Sequence, residues 1–186
     1  EEMRRRGAVP RADADRRRAV ILTEMARRAN IDGQDAFARD YAKRAVRLAS
    51  DLVPAAAIRA EVLLADGHER AAAKLLEKTW DKHPHPDLVD LYLRARPPKD
   101  ALDKLKRVTR LTERAPKHRE SALALGRAAL DAELWGEARR HLQTAGGEAP
   151  SEAVCRLMAE LEEREKGDAT AARQWLLHAA DAPGDP

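Results

Sequence analysis

The stretch Arg119–Pro150, RESALALGRAALDAELWGEARRHLQTAGGEAP, limits the fold more than any other part of the chain. It reads as two helices joined by a tight turn. With Gly126 as origin, Leu125 stands one residue before it, Ala122 four before and Ala129 three after. Ala138 follows at +12, Leu142 at +16, Ala145 at +19 and Pro150 at +24. Gly126 and Ala138 are small, so two helix backbones can approach closely where they cross. Leu125 and Leu142 fill the seam beside that crossing. Pro150 lacks an amide hydrogen and stops the second helix.

The pattern recurs along the chain. Pro54, Pro84, Pro116 and Pro150 are spaced at intervals of 30, 32 and 34 residues. Counting back from Pro84 places Ala60, Ala72 and Leu76 where Gly126, Ala138 and Leu142 stand, with Arg59 in place of the Leu and Thr79 in place of the late Ala. Counting back from Pro116 places Tyr92 and Lys104 at the two small-residue positions, the widest departure. A Leu-Gly pair, an Ala and a terminal Pro at these offsets, with a period near 34, resembles the tetratricopeptide repeat (TPR). The aromatic places of that pattern hold Ala122, Ala129 and Leu142, so the copies are degenerate. The expected fold is an all-α, TPR-like α-α superhelix (solenoid), right-handed, with about ten helices in five antiparallel pairs. A generic α-α repeat of another type is the alternative, with nearly the same helices.

Composition agrees with this. Of 186 residues, 44% are hydrophobic but only 3% aromatic, which suits thin layers of Ala and Leu shared between repeats rather than one bulky centre. The expected order is a lead-in over 1–12 containing Arg4-Arg5-Arg6, a TPR-like repeat domain over 13–182 and a loose tail over 183–186. A first helix from Asp13 to Ala29 carries the stripe Val20, Leu22, Met25, Ala26 and Ala29. Gly33 supplies a left-handed turn before a helix beginning at Asp35. Pro54 opens the next helix. Asp87, Asp100 and Ser151 are the expected caps of later helices, Gly167-Asp168 turns the chain, and a last helix runs from Ala169 to Asp181.

The net charge of +3 is small, but its distribution is uneven. Residues 94–119 hold 10 basic and 3 acidic side chains, and residues 120–186 hold 7 basic and 13 acidic ones. The stripe Lys99, Lys104, Lys106, Arg107, Arg110, Arg114, Lys117 and Arg119 has no interleaved aromatics on which bases could stack, so nucleic acid is not the expected partner. His83-Pro84-His85 is the one close histidine pair and lacks further ligands at zinc-site spacing. Cys155, the single cysteine, reads as a small buried residue and allows no internal disulfide. There is no glycine-rich phosphate loop and no nucleophile–base spacing. The expected protein is therefore not an enzyme and has no catalytic, metal or cofactor-binding residues, although non-covalent haem ligation by Cys155 or a histidine stays open. No apolar run reaches the length that spans a bilayer.

A TPR groove takes a helix or an extended segment from a protein partner. The first-helix residues expected to face it are Glu61, Leu64, Arg94, Leu123, Arg127 and Leu130, with Arg156 on the following repeat. Capture of a C-terminal carboxylate by Asn and Lys is not expected, because the only asparagine is Asn30, in a turn.

The runs DLVP from Asp51, AAAIRAEVLLADGHERAAAKLLEKTWDKHPHPDL, RLTERAPKHRESALALGRAALDAELWGEARRHL and VCRLMAELEEREKGD, followed by Trp175-Leu176, resemble the C-terminal TPR region of HemY-type proteins, as does the upstream RRRAVILTEMA. The resemblance covers roughly residues 16–186. It implies a bacterial inner-membrane protein whose anchor precedes the TPR region, in keeping with a chain that opens at Glu1 without an initiator Met. It further implies a scaffold in late haem (protohaem) biosynthesis, with ferrochelatase or another porphyrin-pathway enzyme as partner. It carries no catalytic residues to this chain. The alternatives are a TPR assembly factor for envelope biogenesis and a haem- or porphyrin-binding protein.

Overall fold

The computed structural model describes residues 10–184, and the expected lead-in with its Arg4-Arg5-Arg6 run lies outside them, apart from Pro10 and the first residues of helix 1. Ten α-helices and no strand are found among the described residues: α1 (Arg11–Ile31), α2 (Asp35–Leu48), α3 (Val53–Ala65), α4 (Glu69–Lys82), α5 (Pro86–Ala95), α6 (Ala101–Thr112), α7 (Arg119–Asp131), α8 (Trp135–Gly146), α9 (Glu152–Lys166) and α10 (Ala169–Asp181). Their order and number match the expected pairs. They group into two compact units, the first ending at Thr79 and the second beginning at Trp80.

In the first unit α1 packs on α2, and both pack on α3. The layer between them is thin: Ala26, Ala29, Ala38, Ala42, Ile58 and Val62 form one buried cluster. Small residues let the backbones close up, which replaces bulk with proximity. The expected α1 stripe is half right. Leu22, Ala26 and Ala29 are buried with Ala19 and Thr23, whereas Val20 is 52% exposed and Met25 38% exposed. The inward face of α1 is mostly small, Leu22 excepted, and Val20 and Met25 lie off that face.

One turn geometry joins three hairpins. At Gly33, Gly67 and Glu133 the residue takes positive φ. In each case the next amide bonds back five residues, from Gln34 to Ala29 O, His68 to Leu63 O and Leu134 to Ala129 O, at 2.8–2.9 Å. Two of these turns use glycine, which meets no Cβ penalty there. The third forces a glutamate into the same conformation.

In the second unit α7 packs on α8 and α9 on α10, with α8 joining α9 and α6 joining α7. Its core cluster includes Leu123, Ala129, Leu130, Ala138, Leu142, Val154, Leu157, Met158 and Leu161. A Cβ on Gly126 would lie 2.7 Å from Leu142 Cδ2 and 3.3 Å from its backbone nitrogen. This is the close crossing that the sequence spacing required. Trp80 is fully buried and donates from Nε1 to Ser121 Oγ at 3.2 Å, and Ser121 Oγ donates onward to Ala115 O at 2.7 Å. Cys155 is fully buried.

Two helix-cap assignments are corrected. His85, not Asp87, caps α5: its Nδ1 accepts from Asp87 N at 3.2 Å. Pro86 is the first helical residue, so the cap must precede it, and the proline also holds His85 extended. Ser151 stands at the cap position of α9 but makes no side-chain cap bond, and its Oγ is buried without a partner. The α9 amide at Glu152 donates instead to Pro183 O at 3.2 Å. That bond ties the Pro183 carbonyl back to the start of α9. Asp100 caps α6 as expected, accepting from Asp103 N at 2.7 Å.

Candidate docking groove

The groove of interest lies wholly in the second unit. It is a cleft of about 410 Å³ built from the first helices of three successive pairs, α5, α7 and α9, with α6 closing one side. The floor is apolar: Val89 and Leu93 come from α5, Val108 from α6, Leu123 and Ala128 from α7, and Leu157 from α9. Helical periodicity sets this. Leu123 and Arg127 stand three before and one after Gly126, and the same offsets from Tyr92 give Val89 and Leu93.

Four charged residues line the cleft: Asp90, Lys104, Glu120 and Arg127. They are not equivalent. Lys104 Nζ is tied to Asp131 at 2.6 Å. Glu120 is only 6% exposed and engaged within the fold. Asp90 and Arg127 are exposed, and neither makes an ion pair with the described residues. An apolar floor thus carries one uncommitted anion on α5 and one uncommitted cation on α7.

The sequence-derived candidates divide accordingly. Leu123 and Arg127 line the cleft. Leu130 does not serve there: it is 1% exposed and belongs to the core cluster, because a residue four after Gly126 turns toward α8 and α9. Arg94 and Arg156 are exposed, each one residue away from a true lining residue, Leu93 and Leu157. Arg156 is paired with Glu152 along its own helix. Glu61 and Leu64 are half-buried on α3 of the first unit. Val89, Asp90, Leu93 and Leu157 were missed, although the offsets from the Gly126 place would have found Val89 and Leu93.

The basic stripe is partly neutralised within the fold. Besides Lys104, Arg107 holds Asp103 at 2.9 Å and Arg119 Nε donates to Ala145 O at 3.0 Å. The Asp103 carboxyl is held below the usual carboxylate range by the Lys99 amide first and Arg107 second. His85 spends its Nδ1 on the α5 cap. Among the described residues no three His, Cys, Asp or Glu side chains gather as metal ligands would. No described helix is long and apolar enough to cross a membrane.

A second cleft, of about 670 Å³, lies in the first unit between α1 and α2. Its rim holds Arg11, Arg18, Arg44 and Arg47 over Ile21, Leu22 and Leu48. Arg44 is paired with Asp40, and Arg11 and Arg18 both face Asp15.

Helix order, repeated turns and groove place the chain in the all-α, TPR-like repeat class. Solved structures agree on the fold. A chain from the functional characterisation of Pseudomonas aeruginosa pilF superposes with a TM-score of 0.51 at 15% identity, covering 93% of this chain and 80% of that one. A MamA RS-1 double mutant superposes with a TM-score of 0.50 at 15% identity, covering 88% and 93%. No family model matches the sequence. A curated relative, the probable magnetosome protein Mms48 of Magnetospirillum gryphiswaldense, is 36% identical over 176 residues. That match takes in 93% of this chain but only 38% of the relative's length.

Proposed function

We propose that the chain is a non-catalytic docking module of a membrane-associated scaffold, holding a segment of a protein partner in the α5–α7–α9 groove. The observation that carries this reading is the apolar cleft with its two uncommitted charges, set on the first helices of consecutive repeats. TPR-type repeats present such surfaces because each pair covers only its neighbours and leaves one helix face free for a ligand. We propose no resident cofactor. Cys155 is fully buried in α9 and unsuited to meet an incoming porphyrin. A haemin titration should leave the Soret band as in buffer, and a shift saturating at one equivalent would overturn this.

The setting rests on two different similarities. The 36% identity to a magnetosome protein supports a role in organising proteins at a magnetosome membrane. The HemY-type resemblance supports scaffolding of late haem biosynthesis at the inner membrane, with ferrochelatase as a partner. We favour the first, because it stands on an alignment over 93% of the chain. Affinity capture of the tagged protein from detergent-solubilised membranes of its own source, read by mass spectrometry, separates them. Enrichment of magnetosome proteins supports the favoured setting, and enrichment of ferrochelatase replaces it with the second. Capture unchanged by Arg127→Glu would remove the groove from either account.

A further inference from the structure

We propose that the groove reads the charge polarity of its occupant: a short peptide segment with one or two large apolar side chains, an acidic residue beside them facing Arg127 and a basic residue facing Asp90. The proposal rests on the protein-docking reading of the same groove and adds the chemistry of the partner.

The argument starts from which charges are already satisfied. Lys104 is committed to Asp131, and Glu120 is engaged within the fold. Arg127 is then the cation of the lining with no intramolecular ion pair, and Asp90 is the corresponding anion. They stand on different helices, Asp90 on α5 and Arg127 on α7, and share the lining with the apolar residues Val89, Leu93, Leu123 and Leu157. An occupant seated on that floor brings one flank near α5 and the other near α7. A segment with the matching order of charges gains at both walls, and the reversed order places like charges together, which costs binding and suppresses wrong partners. A cavity of about 410 Å³ limits the apolar part to very few side chains, so the flanking charges carry much of the discrimination. Polarity also fixes the direction in which the segment lies.

The test is peptide display. Random twelve-residue peptides are selected on the full immobilised chain, in parallel with its Arg127→Glu and Asp90→Lys variants. Both positions are exposed and unpaired, and circular dichroism checks that each variant keeps its helices. The expected result is enrichment of peptides with an apolar residue flanked by opposite charges. The acidic preference disappears on Arg127→Glu and the basic one on Asp90→Lys. The best peptide should lose about tenfold in affinity on Arg127→Glu by fluorescence polarisation, and regain it when its acidic residue is changed to Lys. Enriched apolar peptides with no charge preference, or preferences unmoved by either variant, would overturn the polarity inference while leaving the docking reading in place. No enrichment on the wild-type chain would overturn both.

Discussion

Gly126 shows how much one residue can fix. A Cβ there would press into Leu142, which is fully buried and has no room to swing away. Gly126→Ala gains up to about 1 kcal/mol of helix propensity but overpacks the crossing by about 1–3 kcal/mol. The expected net effect in urea unfolding is a loss of about 1 kcal/mol. Leu142→Ala alone should cost about 2–5 kcal/mol, and distinctly less in the Gly126→Ala background, because the added methyl then occupies vacated space. Strict additivity would show that the two residues do not meet. The close crossing was legible in the sequence from spacing, which placed Gly126 and Ala138 at it and Leu142 beside it; that Leu142 itself lies over Gly126 was not. Neither was Glu133. Its left-handed conformation, φ 58°, is the one Gly33 and Gly67 hold in the equivalent turns, and nothing in a glutamate announces it. Glu133→Gly should raise stability by about 0.5–1 kcal/mol in the same assay. The lost pairing with Arg164, 3.7 Å away, is exposed and offsets little of that gain. Unchanged or lower stability would mean that the turn carries no strain.

Helix ends and helix-to-helix clamps were less legible than helix existence. Prolines, glycine turns and apolar spacing together revealed the helices, but the caps depend on local competition between neighbours. The α7 cap is His118, whose Nδ1 accepts from Glu120 N at 3.2 Å, the arrangement that His85 uses for α5. Histidine is not among the usual cap residues, whereas Asp87 beside it is, so residue type alone points to the wrong neighbour. The clamp between α8 and α9 depends on partners 23 and 26 residues apart, which no short motif reveals. Arg139 reaches Glu162 through one guanidinium nitrogen and Glu165 through another. Its bond to Glu162 holds that carboxyl below the usual carboxylate range, with desolvation opposing. A folded-state value below the unfolded one, about 4.3, means the stabilisation is complete above that pH. It is lost as the pH falls through the folded-state value. Glu162 keeps only 10% of its side chain exposed, against 26% for Arg139, so the pair lies between an exposed and a buried one. Glu162→Gln should therefore cost about 1–3 kcal/mol at neutral pH. The gap should narrow on acidification below about pH 4.3. Thermal unfolding of both proteins from pH 7 to pH 3 measures this, and a gap independent of pH would show that the carboxylate charge is not what matters.

At the scale of the molecule, the proline intervals revealed the repeat but not the division into two compact units at Thr79–Trp80. That division falls inside α4, where periodicity runs on unbroken and no linker composition marks it. The groove was legible to the extent that Leu123 and Arg127 follow from the Gly126 register. The remainder depended on Tyr92 standing at the small-residue place of the most divergent repeat, where Leu93 lines the cleft and the expected Arg94 lies one residue further along. Every buried residue of the cluster around Leu142 lies between Ala122 and Leu161, and the buried Trp80, Leu88, Tyr92, Val108 and Leu111 also follow Thr79. The groove and the Trp80–Ser121–Ala115 hydrogen-bond chain also lie after Thr79. A fragment over 66–186 keeps α4 whole and retains all of these, at a length typical of an autonomous domain, about 100–150 residues. It should therefore fold without the first unit, with helical circular dichroism and a single cooperative urea transition. It should also bind the peptides selected on the full chain within about twofold of the same affinity, because every lining residue is present. A helical fragment that melts without cooperativity would show that the second unit's core is completed by the first. A cooperative fragment that no longer binds would place part of the docking surface before Asp66.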